Sequence, residues 1–267
     1  MTDNQEDTTM KYFLFNLLLV TLIGVSASLS ESALSDNMVL YLTFDEGTGK
    51  KVKDQSKNGH DANIIANTKW VDGKISKAIE ITAEGQDCVN IPAAETLKIK
   101  GEITMMAWVY QNSWTASSAQ WFDKNCHNGG EKNSYGMGVF GTNILMMLGE
   151  TGSRKDHSVP NAMKDKQWHH IVGTYDGKTK KIYLDGKLLA EQADKFDFAG
   201  TNDSDLRIGC SKDRPQYTFD GGMIDESAVW SRALSLNEIQ QAMSGNLLAV
   251  SPQDKLATTW GTIKQKE

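Results

Sequence analysis

The 267-residue sequence has few prolines, few cysteines and no excess of positive charge, and these shortages exclude several classes of protein. Its three cysteines are far apart, so they cannot form the close CxxC pairs of a zinc ribbon. Its formal net charge of -6 gives no long-range attraction for phosphate backbones or anionic lipids. We therefore expect no structural zinc site, no nucleic-acid partner and no polybasic membrane contact.

The sequence also lacks the motifs that accompany several kinds of catalysis. No GxSxG, HExxH or ExDxxE string is present, and no glycine-rich phosphate loop follows a strand pattern. Asp225 and Glu226 are neighbours, so on one strand they would point to opposite faces and make a poor catalytic pair. These absences favour a protein without catalytic residues.

The first 30 residues have the pattern of a secretory signal peptide. Lys11 precedes an apolar run over residues 12–25, which is followed by small residues. The run is shorter than the roughly 20 residues that a transmembrane helix needs, so we expect cleavage and no stable membrane insertion afterwards. Three acidic residues precede Met10, where a signal should be positive, and we hypothesise that translation starts at Met10. These features predict a secreted, periplasmic or cell-surface protein.

From about residue 37 onward, apolar residues recur in short stretches with a two-residue period, and 23 glycines supply turn positions. The candidate strands are residues 38–44, 87–91, 102–110, 135–140 and 143–148, followed by three strands within residues 168–192. Two pairs, Asp176-Gly177 and Asp185-Gly186, separate these last three strands. Asp-Gly between alternating runs is the strongest short-range signal for a β-hairpin, because both residues tolerate positive φ.

One helix is predicted, near the C-terminus. Ser235 and Glu238 form the S-x-x-E capping box that begins a helix, and Gly245 is placed to end it. No linker-like composition divides residues 37–250, so we predict a single domain there and a polar tail over residues 251–267. Many short strands with one late helix predict an all-β fold, an antiparallel two-sheet jelly-roll sandwich.

Five segments, taken in order, are similar to the laminin-G-like family. They are residues 40–64, 70–81, 102–110, 168–191 and 219–239, and the strings WHHIVGTYDG and GMIDESAVWSRALS are the most specific. The resemblance covers nearly all of the chain after the predicted signal and implies a concanavalin A-like jelly roll. That superfamily also includes lectins, glycoside hydrolases and polysaccharide lyases.

The resemblance further implies a structural calcium ion, because relatives with this fold often hold one. It places the first strand beside the last main strand, which would bring Asp45 near Asp225. Asp54 and Asn58 would then add oxygen ligands, the kind that calcium prefers. The alternative is that these side chains cap turns or face solvent.

Pentraxin-like relatives bind ligands through loops that match residues 123–134 and 211–218 here. The candidate ligand-binding residues in these loops are Asp123, Asn125, Asp213, Arg214 and Tyr217. Cys126 and Cys210 stand in or beside the same loops, and we hypothesise that they form a disulfide bond that leaves Cys88 free. The alternative is three unpaired, partly buried thiols.

The sequence therefore predicts a non-catalytic, extracytoplasmic domain that binds carbohydrate or an extracellular protein, with calcium as its cofactor. Two alternatives stay open at this point. One is an interaction module of an envelope assembly that binds no sugar, and the other is a polysaccharide lyase or glycoside hydrolase.

Overall fold

The computed structural model describes residues 33–82, 87–114, 118–126, 134–150, 153–160, 163–245 and 247–248. The chain divides into two compact units, residues 1–33 and residues 34–267. The predicted signal peptide and the predicted C-terminal tail lie outside the described residues. The account that follows concerns the second unit.

The described residues form sixteen strands and one α-helix. In chain order they are β1 (Met38–Leu42), β2 (Lys51–Val52), β3 (Ala62–Ile65), β4 (Lys69–Asp72), β5 (Lys77–Ile81), β6 (Cys88–Ile91), β7 (Ile103–Gln111), β8 (Ala119–Asp123), β9 (Tyr135–Phe140), β10 (Asn143–Glu150), β11 (Ser153–Pro160), β12 (Gln167–Tyr175), β13 (Thr179–Leu184), β14 (Lys187–Ala193), β15 (Leu206–Ile208), β16 (Gly222–Trp230) and α1 (Leu236–Ala242). Two short 3-10 helices span Glu95–Leu97 and Pro215–Tyr217.

These strands form two antiparallel sheets of eight strands each. The first sheet has the order β14-β13-β12-β7-β16-β5-β4, and β1 also pairs with β16. The second sheet has the order β11-β10-β9-β8-β15-β6-β3-β2. The predicted two-sheet jelly-roll sandwich is confirmed, and the three strands expected within residues 168–192 are β12, β13 and β14.

The turn between β13 and β14 shows why the sequence specifies this hairpin. Asp185 and Gly186 both have positive φ, 51° and 72°, as a two-residue type I′ turn requires. The Asp185 carboxylate also accepts the backbone N–H of His170 at 2.9 Å, which ties the turn to β12. The hairpin therefore follows from one residue pair and is held by a contact to the neighbouring strand.

The hydrophobic core lies between the two sheets and is continuous along them. Residues of β7 that point inward alternate with residues that point outward, and Met105 and Val109 are fully buried in this core. On β12, a Cβ at Gly173 would lie 2.9 Å from Met137 Sδ and 3.1 Å from Met146 Sδ, atoms of the facing sheet. Glycine at this position therefore lets the two sheets approach closely.

A second hydrophobic cluster lies on the outer face of the first sheet, beneath α1. It includes Tyr41, Met106, Tyr183, Trp230 and Ile239, and Trp230 donates its indole N–H to the carbonyl of Leu34 at 2.7 Å. The predicted capping box is present: Ser235 caps the helix and Glu238 bonds back to it. Within the described part of the chain, no helix has the length and apolarity needed to cross a membrane.

Strand β1 pairs with β16 along one edge, and side chains cap its other edge. Asn58 Nδ2 donates to the carbonyls of Met38 and Val39, both at 2.9 Å, and Ser56 Oγ donates to Val39 O at 3.1 Å. Asp54 Oδ1 accepts the backbone N–H of Tyr41 at 3.0 Å. These side chains occupy backbone groups that an exposed edge strand would offer to another chain.

The cysteine pairing differs from the sequence-based hypothesis. Cys88 and Cys210 form the disulfide, with their Cα atoms 5.5 Å apart, whereas Cys126 is a free, buried thiol. The predicted bond between Cys126 and Cys210 is therefore wrong. Cys88 begins β6, and Cys210 follows β15, the strand that pairs directly with β6, so the sheet itself brings these two residues together.

Candidate functional site

The first group of polar residues lies where β16 changes its partner, and we call it the strand-switch site. Residues 222–224 of β16 pair with β5, whereas its C-terminal half pairs with β1. Asp225 and Glu226 lie between these two stretches, at an irregularity in the register with β7. Glu226 has a φ of 50°, as expected where a β-bulge re-aims a side chain.

Both carboxyl groups of the strand-switch site are almost completely buried. Burial raises the pKa of Asp225 to about 7, although the Ile75 and Glu226 N–H groups, at 2.9 and 2.8 Å, favour its ionised form. Burial, with repulsion from Asp225 and Asp45, raises the pKa of Glu226 to about 8. The site therefore holds protons near neutral pH.

The hydrogen bonds around Tyr41 agree with a protonated Glu226. The Tyr41 hydroxyl contacts both Glu226 Oε2 and the carbonyl oxygen of Gly245, the latter at 2.7 Å. A phenol has only one proton, so it cannot donate fully to two acceptors. If Glu226 carries a proton, it donates to the Tyr41 oxygen while Tyr41 donates to Gly245, and all three groups are satisfied.

Carboxylate oxygens are the ligands that a hard cation prefers, and this site is where the predicted calcium ion would lie. Asp45 lies close enough to raise the pKa of both buried acids, and its Oδ1 accepts the Lys77 N–H at 3.1 Å. The described residues contain no group of three or more Asp, Glu, His or Cys side chains arranged to hold a metal. The acidic side chains alone therefore do not complete a calcium site, and calcium stays a prediction.

Asp54, the third predicted calcium ligand, has a different environment. Its Oδ1 accepts N–H groups of Tyr41 and Ser56, and its Oδ2 accepts the Ser56 hydroxyl at 2.7 Å and the His60 N–H at 2.8 Å. These four donors fix Asp54 as the brace of the β1 edge. The strand-switch site therefore contains Asp45, Asp225 and Glu226, and Asp54 is committed elsewhere.

A second group of polar residues lies on the outer face of the second sheet, and we call it the outer polar strip. Arg207 of β15 is paired in register with Asn90 of β6 and Asp123 of β8. Its neighbours Leu206 and Ile208 point into the core, so Arg207 points outward. Arg207 Nη1 lies 3.9 Å from the sulfur atoms of both Cys88 and Cys210, so the disulfide lies beside it on the same face.

Several polar atoms of this face are buried but have no hydrogen-bond partner among the described residues. They are Asn90 Oδ1, Gln120 Oε1, Arg207 Nε and Ser211 Oγ. Buried polar groups are nearly always hydrogen-bonded, and leaving one unpaired costs about 1–3 kcal/mol. These four atoms are enclosed, so the polar groups that a ligand could contact on this side of the domain are exposed ones such as Asp213 and Arg214.

An aromatic pair stands beside the outer polar strip. Phe140, at the end of β9, is 56% exposed, and its ring meets Tyr217 edge-on with centroids 6.3 Å apart. Tyr217 belongs to the short helix Pro215–Tyr217, which packs on β8. Phe140 was not predicted. Gly136 and Gly138, which precede it on the same face of β9, are closely covered, because a Cβ there would meet Cys126 Sγ and Ala119 O.

The other predicted ligand residues divide into two groups. Asp123 is buried and accepts the N–H of Cys126 at 3.0 Å, so it organises the turn after β8. Asn125 donates to Ser204 Oγ at 3.2 Å and has a φ of 52°. Asp213 and Arg214 are exposed next to Tyr217. The rest of the first predicted loop, residues 127–133, lies outside the described residues.

The two facing antiparallel sheets, with the helix on one outer face and the polar strip on the other, define a jelly-roll sandwich domain. Residues 83–240, more than half of the chain, match the laminin G family model described as the concanavalin A-like lectin/glucanases superfamily. The chain therefore belongs to this superfamily. No curated protein sequence matches it.

Several solved structures share the fold. The binding domain of Paraclostridial Mosquitocidal Protein 1 superposes with a TM-score of 0.62 at 17% identity, covering 78% of this chain and 52% of that one. Domain 4 of AbnA, an extracellular arabinanase from Geobacillus stearothermophilus, was solved in complex with arabinotriose. It superposes with a TM-score of 0.57 at 18% identity, covering 77% of this chain and 97% of that one. The binding domain of botulinum neurotoxin DC in complex with rat synaptotagmin II superposes with a TM-score of 0.58 at 14% identity, covering 80% of this chain and 52% of that one. The chain thus spans about half the length of the toxin binding domains, and these likenesses establish the fold.

Proposed function

We propose that this protein is a non-catalytic, extracytoplasmic binding domain that recognises carbohydrate through the outer polar strip. The observation that carries the proposal is the exposed Phe140 ring, which packs edge-on against the half-buried Tyr217, next in sequence to the exposed Asp213 and Arg214. Sugar rings present apolar C–H faces and a rim of hydroxyls, which such a surface would bind by stacking and hydrogen bonding. The arabinotriose complex of AbnA domain 4, which shares the fold, supports the same ligand class.

A non-catalytic role is favoured by the position of the acids. Asp225 and Glu226 are 0% and 1% exposed, beneath the loop that follows β4, so a glycosidic bond could not reach them. The Cys88–Cys210 disulfide supports a location outside the cytoplasm, where such bonds persist. Export by cleavage of the first 30 residues belongs to the same proposal.

The proposal predicts that removing the aromatic pair weakens sugar binding at least tenfold. In Phe140→Ala/Tyr217→Ala, the stacking surface is lost, and each aromatic contact contributes roughly 0.5–1.5 kcal/mol beyond its buried area. Glycan-array screening identifies the sugar, and calorimetry on wild type and variant measures the loss. The matched control is Leu188→Ala, which removes an exposed apolar side chain from β14 of the other sheet.

Two outcomes would contradict this proposal. One is wild-type affinity in the double variant, which would place the sugar elsewhere. The other is a wild-type protein that binds no glycan but binds an extracellular protein through this face, as the synaptotagmin complex of a structural neighbour illustrates. The domain would then be an interaction module.

Calcium is the second part of the proposal, with Asp45 and Asp225 as its side-chain ligands. An ion that binds only the folded state stabilises it by RT ln(1 + [L]/Kd), about 1.4 kcal/mol at ten times Kd. We therefore expect the thermal midpoint to fall by a few degrees when chelator replaces calcium, and Asp225→Asn to abolish this difference. The same midpoint with and without chelator in the wild-type protein would count against calcium.

A further inference from the structure

Asn58 and Gly59 form an exposed Asn-Gly pair in the loop that caps the free edge of β1. Asn58 Nδ2 donates to the carbonyl oxygens of Met38 and Val39, both at 2.9 Å, so one amide group covers two backbone acceptors. The amide of Asn58 is therefore part of the β1 cap. Any reaction that removed this amide would remove both of these hydrogen bonds.

The residue that follows Asn58 leaves this amide open to attack by the backbone. The Gly59 N–H makes no hydrogen bond to any residue that the structure describes. Gly59 has a φ of 70°, and a Cβ there would have no atom within 4 Å. Because glycine has no side chain, its nitrogen approaches the side chain of the preceding asparagine more easily than the nitrogen of a larger residue does. Asparagine is also one of the thermolabile residues of proteins.

We propose that Asn58-Gly59 is a site of spontaneous covalent modification, at which deamidation of Asn58 removes the cap of β1. The Gly59 nitrogen bonds to Asn58 Cγ, and the bond from Cγ to Nδ2 breaks. The proton of the Gly59 N–H passes through solvent to Nδ2, which leaves as ammonia. Water then opens the succinimide ring at either carbonyl carbon and leaves aspartate or isoaspartate. The net reaction consumes water, releases ammonia and needs no enzyme.

The effect of this reaction on β1 runs in one direction. A carboxylate has no N–H to donate, and it would face the carbonyl oxygens of Met38 and Val39, which repel it. Because Nδ2 must leave, its two hydrogen bonds to these carbonyls should slow the reaction until the cap opens. Each opening of the cap therefore exposes Asn58 to reaction, and each reaction prevents the cap from forming again. The inference is independent of the proposed sugar binding, because no residue of the outer polar strip takes part.

The first test follows deamidation of the full chain at mildly alkaline pH. Peptide mapping by mass spectrometry detects the exchange of NH₂ for OH at Asn58, and chromatography separates aspartate from isoaspartate. We expect conversion in the native protein to be about tenfold to a hundredfold slower than in urea, because two hydrogen bonds must open first. The sequence has a second Asn-Gly pair, Asn128-Gly129, outside the described residues, and it serves as a reference in the same sample.

Ser56→Ala tests whether opening of the cap controls the reaction. Ser56 Oγ accepts the Asn58 N–H at 3.2 Å and donates to Val39 O at 3.1 Å, so its loss should loosen Asn58. One lost hydrogen bond corresponds to a factor of about three to ten, so we expect deamidation at Asn58 to become faster by that factor. Deamidation at Asn128 should keep its wild-type rate.

Asn58→Asp reproduces the aspartate product directly. It should lower the thermal midpoint by about 3–6 °C, because two hydrogen bonds of the cap are lost. Asn143→Asp makes the same chemical change on an exposed residue at the start of β10 and should leave the midpoint nearly unchanged. Both variants are measured in chelator, so that a bound cation cannot offset the new charge.

Three results would overturn the inference. An unchanged Asn58 in the native protein, at a time when the chain in urea is fully converted, would show that the fold protects this pair. Equal acceleration at Asn58 and Asn128 in Ser56→Ala would indicate general unfolding instead of release of the cap. A wild-type midpoint in Asn58→Asp would show that this amide does not hold the edge of β1.

Discussion

Replacing Asp54 by alanine should lower the free energy of unfolding by about 3–5 kcal/mol, because it leaves four hydrogen-bond donors of a buried region without their acceptor. The Tyr41, Ser56 and His60 N–H groups would lose their acceptor, and hydrogen bonds to charged groups contribute about 1.5–3 kcal/mol each. Because Asp54 joins the 54–60 loop to β1, its loss should also release the cap of that strand edge.

Urea unfolding of Asp54→Ala and of a matched control measures this effect. The control is Asp61→Ala. Asp61 is exposed, and among the described residues its side chain accepts the Asp54 N–H, at 3.0 Å. This substitution should therefore lower the free energy of unfolding by about 1 kcal/mol or less. Asp54→Asn puts an amide N–H₂ against N–H donors, and its loss in free energy of unfolding should lie between those of the two alanine variants. Equal losses in the Asp54 and Asp61 variants would show that the loop does not brace β1.

Asp54 also shows where sequence reasoning reached its limit. The sequence predicts Asp54 either as a calcium ligand or as a turn-capping residue, and in the structure it caps the edge of β1. The capping of β1 depends on a strand fifteen residues earlier having no partner on one edge. Periodicity within a segment cannot reveal which edges of a sheet remain free.

The same limit explains the wrong disulfide. The alternation of apolar residues predicted the two sheets and most strands, because burial of one face dictates it locally. Pairing of Cys88 with Cys210 depends on β15 lying between β8 and β6, an order set by residues more than a hundred positions apart. Cys126 lies close in sequence to the predicted ligand loops. In the structure its Sγ atom is buried 3.7 Å from Met147 Sδ, away from Cys210.

For the candidate sites, single aromatic residues were easier to predict than networks. Tyr217 stood out as an aromatic residue in a polar loop, whereas Arg207 resembled any charged residue of a short strand. Tyr110 and Trp168 fell within strand patterns, and for Trp168 core packing was the natural interpretation. Only the register between β7 and β12 places the two rings side by side on an open face.

The calcium-free protein should lose stability as pH rises from about 6.5 to 8.5, because the strand-switch site must give up its protons. The pKa of Glu226 is about 8 in the folded state against a usual 4.5, and that of Asp225 is about 7 against 3.8. The folded state therefore binds more protons than the unfolded state up to these values, and its stability falls until both groups have ionised. One group contributes at most about 1.4 kcal/mol per pH unit, so we expect a loss of about 2–3 kcal/mol over this window.

The window matters because His170 acts in the opposite sense below it. Burial lowers the pKa of His170 to about 4, so the unfolded state binds an extra proton at this residue between about pH 4 and 6.5, and this offsets part of the loss of stability that the two carboxyl groups cause there. Above pH 6.5 this imidazole is neutral in both states, and the two carboxyl groups dominate. Two carboxyl groups outweigh one imidazole, so chemical unfolding in chelator should show stability that falls from about pH 4.5 to 8.5, with the fall partly offset by His170 below pH 6.5.

Glu226→Gln separates this cause from general alkaline destabilisation. The amide has nearly the same shape and stays neutral, so it should remove the larger part of the decline, whereas Glu191→Gln on the exposed strand β14 should leave it unchanged. Calcium that binds Asp225 should displace protons, so its addition should restore stability above pH 7 and release protons that a weakly buffered calorimetric titration detects. A decline of wild-type size in Glu226→Gln would mean that the buried pair is not its source.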